Sequence, residues 1–123
     1  MIQNCLYVML GGALGALARY CVAQLCAGVR LLTLPVGTFA VNIVGCFLLG
    51  LLTGLGEHNA GFSRPLMLLL TTGFCGAFTT FSTFSGETVK AAEAGQVWQA
   101  AVYVAASIAI GFLFFWWGRK LGL

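Results

Sequence analysis

The chain has 123 residues, of which 60% are hydrophobic and only 7% charged, and its mean hydropathy is +0.98. Soluble domains are about half apolar and about a quarter charged; six Lys/Arg and three Glu, with no Asp, cannot clothe a folded chain of this size against water. A water-soluble monomer is excluded, and the solvent around the chain is mostly lipid.

Charged side chains are missing from residues 31 to 56, 65 to 86 and 94 to 118. Each run is long enough to cross hydrocarbon, which takes about 20 helical residues, and the first 29 residues are equally apolar apart from Arg19. The expectation is an all-α integral membrane protein, a single transmembrane domain over 1–123 with helices at about 2–27, 35–55, 64–94 and 97–118. Residues 1–29 make a poor signal peptide: no Lys or Arg precedes Leu10, and no small-residue cleavage site follows a short core.

In helix 1, Gly11 and Gly15 form a GxxxG spacing that admits another backbone at close range. Arg19 is the deepest positive charge; it either raises the local concentration of anions in a vestibule or snorkels to the headgroups. Helix 2 is expected to open near Pro35, with Thr33 as cap. Asn42 places an amide with two donors at membrane depth, costly unless bonded, and Thr38 lies one turn before it. The amide serves an ion path or joins helices. Glu57 and His58 belong to a polar connector.

Helix 3 opens at Ser63-Arg64-Pro65 and then turns polar: five of the seven positions 79 to 85 bear hydroxyls. Gly73, Gly76 and the Thr79-Thr80 pair weaken the helix, and a break at this depth requires burial in protein or a wet cavity. Carbonyls released near Gly76 and Thr79 would be hard oxygen ligands for one monovalent cation shared between two antiparallel copies. Phe81 and Phe84 share a helix face; their electropositive ring edges accept a small anion, or they pack an interface. Glu87 either pairs with Lys90 or ends the polar track of Ser82, Thr83 and Ser85. In helix 4, Tyr103, Ser107 and Gly111 make a narrow polar or small stripe, and Trp116, Trp117, Arg119 and Lys120 form an interfacial anchor. The five cysteines lack metal or redox spacing and read as packing residues.

With four helices, Arg64, Arg119 and Lys120 lie on one side of the membrane and Arg19, Arg30 and Lys90 on the other. This balance gives no orientation by the positive-inside rule. A chain that inserts both ways, with a third helix polar along one face, points to an antiparallel dual-topology homodimer; the alternative is a monomeric bundle of one orientation.

Three motifs, Gly-Gly-x-x-Gly-Ala-x-x-Arg-Tyr at 11 to 20, Gly-Thr-x-x-Val-Asn-x-x-Gly at 37 to 45 and Gly-x-x-Gly-x-x-Thr-Thr-Phe-Ser-Thr-Phe-Ser at 73 to 85, resemble the small bacterial fluoride channels of the Fluc or CrcB family. The resemblance implies a dual-topology dimer with a broken third helix, two fluoride pores at the subunit interface and a central sodium ion. It also implies residence in the bacterial inner membrane and passive export of fluoride that entered as hydrogen fluoride. On this reading Asn42, Phe81 and Phe84 form the anion path. Ser82, Thr83 and Tyr103 are further donors, Ser107 and Thr38 candidates beside them, Arg19 serves the vestibule, and the Gly76 and Thr79 carbonyls hold Na+.

The competing reading is a small dual-topology proton-coupled exporter. That chemistry needs a carboxylate in helix 1, which has none. An enzyme is disfavoured because no paired carboxylates, Cys/His arrangement or metal spacing appears. A structural membrane protein leaves the hydroxyl-phenylalanine run unexplained.

Overall fold

The computed structural model describes residues 1–31, 34–58 and 61–123. Four helical spans, Ile2–Leu25, Val36–His58, Arg64–Glu93 and Val97–Gly122, are long and apolar enough to cross a membrane. The first is α1, the second α2 and the last α6; the third is composite.

Between α1 and α2 a short hairpin pairs β1 (Arg30–Leu31) with β2 (Leu34–Pro35), Arg30 opposite Pro35. Pro35 therefore closes the hairpin instead of entering the first turn of α2. It lacks an N–H and sits at a strand end where none is needed, and the next amide, Val36 N, donates to Val29 O at 3.2 Å. The expected cap, Thr33, lies outside the described residues. Helix α1 stops at Leu25, two residues early, as Ala27 N turns back to Gln24 O. Helices α2 and α6 both run past their expected ends, and an ion pair between Glu57 and Arg119 (2.6 Å) ties the two extended termini together.

The third span starts as α3 (Arg64–Leu68), with the Ser63 hydroxyl accepting from Leu66 N and Pro65 in the first turn. It widens into a π-helix over Leu69–Cys75 and tightens to α4 (Gly76–Phe78). Thr79 (φ −85°, ψ 158°) and Thr80 (φ −149°, ψ 116°) are extended. The chain resumes as α5 (Phe81–Glu93), where the Thr80 hydroxyl accepts from Thr83 N at 3.2 Å and caps the new helix.

Packing follows the small residues. A Cβ on Gly11 would collide with the Leu69 carbonyl and one on Gly15 with the Phe74 carbonyl, so the GxxxG face of α1 lies against the π-helix of its own chain. Helices α2 and α6 interlock the same way, Gly50 against the Phe115 carbonyl and Gly118 against the Phe47 carbonyl. Gly15→Ala is therefore expected to destabilise the fold by about 1–3 kcal/mol, the usual cost of overpacking. Gly12→Ala, whose Cβ would meet only the Gly73 carbonyl oxygen at 4.0 Å, should be near neutral. Thermal unfolding of the two variants in detergent, followed by circular dichroism, checks the contrast.

Candidate functional site beside the interrupted third span

An α-helix satisfies each carbonyl with the N–H four residues on; at Thr79–Thr80 that pattern fails and side chains from two other helices take over. Thr79 N and its hydroxyl both donate to Cys75 O, at 3.1 and 3.0 Å. Thr80 N donates to Asn42 Oδ1 (2.8 Å), while Asn42 Nδ2 donates to Thr80 O (3.2 Å). The amide thus grips the N–H and C=O of one residue, as a neighbouring strand would. From α1, Arg19 Nε donates to Ala77 O at 3.0 Å. Among the described residues, no backbone N–H or side chain donates to the carbonyls of Gly76 or Thr79, because Thr80 N has gone to Asn42 and Thr83 N to the Thr80 hydroxyl.

These residues edge a groove of about 1080 Å³ whose walls include Asn42, Gly76, Thr79, Phe81, Phe84 and Ser107. None of the residues lining it is charged. Phe81 is 79% exposed and projects freely. Its ring centroid lies 6.0 Å from that of Phe84 at an interplanar angle of 45°, and Phe84 in turn lies 5.0 Å from the Tyr103 ring. Ser107 Oγ is buried and, among the described residues, has no hydrogen-bond partner.

The remaining candidates lie elsewhere. Arg19, Thr38 and Thr83 border a separate cavity of about 50 Å³, which shares Thr80 with the groove. Ser82 is exposed, its hydroxyl 3.3 Å from that of Thr80. Tyr103 is buried, 4% exposed, and its hydroxyl donates to Glu87 Oε1 at 2.9 Å, while the Thr38 hydroxyl donates to Glu87 Oε2 at 2.8 Å. Glu87 therefore does not pair with Lys90; two hydroxyls satisfy its carboxylate, one oxygen each. The sequence reading missed this because α2 and α6 bring Thr38 and Tyr103 together from 49 and 16 residues away. The available signal was the i, i+3 relation that sets Glu87 on the Phe84 face. Arg19 uses the nitrogen nearest its aliphatic stem to bond the interrupted helix.

For a metal, the described residues contain no cluster of three or more His, Cys, Asp or Glu. At the interruption the carbonyls of Gly76, Phe78 and Thr79 take no donor among the described residues, and such hard backbone oxygens suit an alkali cation and not a transition metal.

The architecture defines a small multi-pass membrane protein whose third span is interrupted beside an uncharged, mostly apolar groove that also carries amide, hydroxyl and aromatic groups. The model of the family described as CrcB-like protein, Camphor Resistance (CrcB), matches residues 6–119, and the chain belongs to that family. A relative from Acidobacterium capsulatum is 46% identical over 117 residues, covering 95% of this chain and 94% of its own, and is named "Fluoride-specific ion channel FluC". One of the same name from Oceanobacillus iheyensis is 43% identical over 99% of this chain and 93% of its own. A Rhodococcus jostii relative, "Fluoride-specific ion channel FluC 2", is 44% identical over 94% and 96%.

Proposed function

We propose that the protein is a fluoride channel of the inner membrane, not an enzyme, and that it lets fluoride leave the cytoplasm passively. The observation that carries this is the groove: no residue that lines it is charged, and its walls include Asn42, Phe81, Phe84 and Ser107, whose hydroxyl has no hydrogen-bond partner among the described residues. Fluoride holds its hydration shell tightly, so a path must replace water with several weak donors in sequence. A fixed cation would bind the ion too well for it to leave. Asn42, Phe81, Phe84 and Ser107 supply such donors, with the exposed Ser82 and Thr83 at the approach. The names carried by relatives over almost their whole length support the choice of anion.

The groove is half a pore. An exposed Phe81 and an open groove that carries amide and hydroxyl groups at membrane depth call for a partner, and a second copy inserted the opposite way is the reading supported by the balanced basic residues. Two interrupted spans crossing antiparallel would offer about four carbonyls, from Gly76 and Thr79 of each copy, to one sodium ion. Bound there, sodium would neutralise these carbonyls and add a positive field that favours anions nearby.

The deciding experiment is efflux from liposomes containing the purified protein, loaded with fluoride or with chloride and read with ion-selective electrodes. Fluoride should leave and chloride stay; equal efflux of both would end the fluoride reading. Ser107→Ala is expected to lower fluoride flux several-fold while leaving thermal stability equal or slightly higher, because deleting a buried hydroxyl without a partner removes a desolvation penalty. Flux and unfolding temperature measured on one preparation check both halves.

A further inference from the structure

We propose that Arg19 is a positioning residue that, together with Asn42, sorts the carbonyls of the interrupted span, taking Ala77 O away so that Gly76 O and Thr79 O remain for a cation. The inference deepens the channel reading above and rests on it for the cation. In a continuous helix the carbonyls of residues 76 to 80 would accept from the amides of residues 80 to 84. Here Asn42 takes Thr80 N and also caps Thr80 O, and the Thr80 hydroxyl takes Thr83 N. Ala77 O receives Arg19 Nε, a charge-assisted donor. A released carbonyl at membrane depth is costly unless something bonds it. Of these five carbonyls, Ala77 and Thr80 are thus bonded by side chains of other helices, while those of Gly76, Phe78 and Thr79 take no donor among the described residues.

The geometry separates this role from the simpler ones. Six residues of α1 follow Arg19, a rise of about 9 Å. A snorkelling arginine would extend that way with its guanidinium free, yet here the nitrogen next to the stem is the donor. The side chain is therefore pinned at its root, and it borders the small cavity with Thr38, Thr80 and Thr83.

The test uses the purified full chain with Arg19→Gln and Arg19→Lys, and has two readouts besides flux. Hydrogen exchange of peptides covering 77–84 follows the amides of Thr80 and Thr83, with peptides from 100–115 as control. Sodium titration of the thermal unfolding temperature follows the cation. Arg19→Gln should speed exchange at 77–84 by about tenfold, the weight of one charge-assisted hydrogen bond, leave 100–115 unchanged and raise the sodium concentration for half-maximal protection by a similar factor. Arg19→Lys, which keeps the charge and a donor, should fall between Gln and wild type in both. Unchanged exchange and sodium protection in Arg19→Gln overturn the proposal, and so does a loss of flux without either change, which would place Arg19 on the anion instead. If Arg19→Gln fails to fold, the Lys variant decides alone: acceleration confined to 77–84 supports the clamp, and uniform or absent acceleration overturns it. A wild-type chain that gains no protection from sodium overturns the cation part of the channel reading, while the exchange arm still judges the clamp.

Discussion

Asn42→Asp should abolish fluoride flux. The carboxylate keeps an acceptor for Thr80 N but has no hydrogen to give Thr80 O, which lies 3.2 Å from the present donor. Two oxygens, one charged, would then face each other at the interruption, and a negative charge would stand on a groove where no lining residue is charged. Loss of one hydrogen bond together with a like charge set against the passing anion corresponds to a reduction of about 100-fold or more. Phe81→Ile and Phe84→Ile keep apolar bulk and remove the ring edge, so each should cut flux severely while the assembly still elutes from size exclusion as wild type does. Wild-type flux in all three would remove these residues from the path and return the phenylalanines to interface packing.

The second large effect concerns orientation. Arg19 is held at Ala77 O, six residues inside the end of α1, so the basic residues near the membrane surfaces are Arg64, Arg119 and Lys120 at one end and Arg30 and Lys90 at the other. A difference of one is a weak bias. Leu121 and Leu123 are exposed beside the first group, and replacing both with lysine makes the ratio five to two. Such a chain should insert one way only and carry no fluoride by itself, since the proposed path closes only between two antiparallel copies. Coexpression with an oppositely biased copy, carrying Val29→Lys and Ala94→Lys at exposed positions of the other end, should restore flux to within a few-fold of wild type. Full activity of the singly biased chain would rule out the antiparallel dimer.

The two sets of expectations depend on different kinds of information. That the chain crosses a membrane four times was decided by sequence alone, because hydration of charge is so costly in hydrocarbon that runs without charge, such as 31 to 56, report their environment residue by residue. The hydroxyl run at 79 to 85 was legible for the same reason: lipid does not tolerate such a face, so that stretch had to be buried in protein or line a wet cavity. Asn42 was legible as a polar group in need of a partner, but the sequence left open whether that partner was an ion or a helix.

What only the tertiary structure decided is who partners whom. Arg19 reaches Ala77 across 58 positions, and Glu87 accepts from Thr38 and Tyr103 instead of its helical neighbour Lys90. These choices are set by how closely the glycine faces let α1 approach the third span and α2 approach α6, and by the π-helix that changes the register of everything after Leu69. A side chain's preference for a bond is local and can be read along the chain. The atom that satisfies it is whichever donor or acceptor the packed helices bring within about 3 Å, and no spacing along a single strand of sequence encodes that.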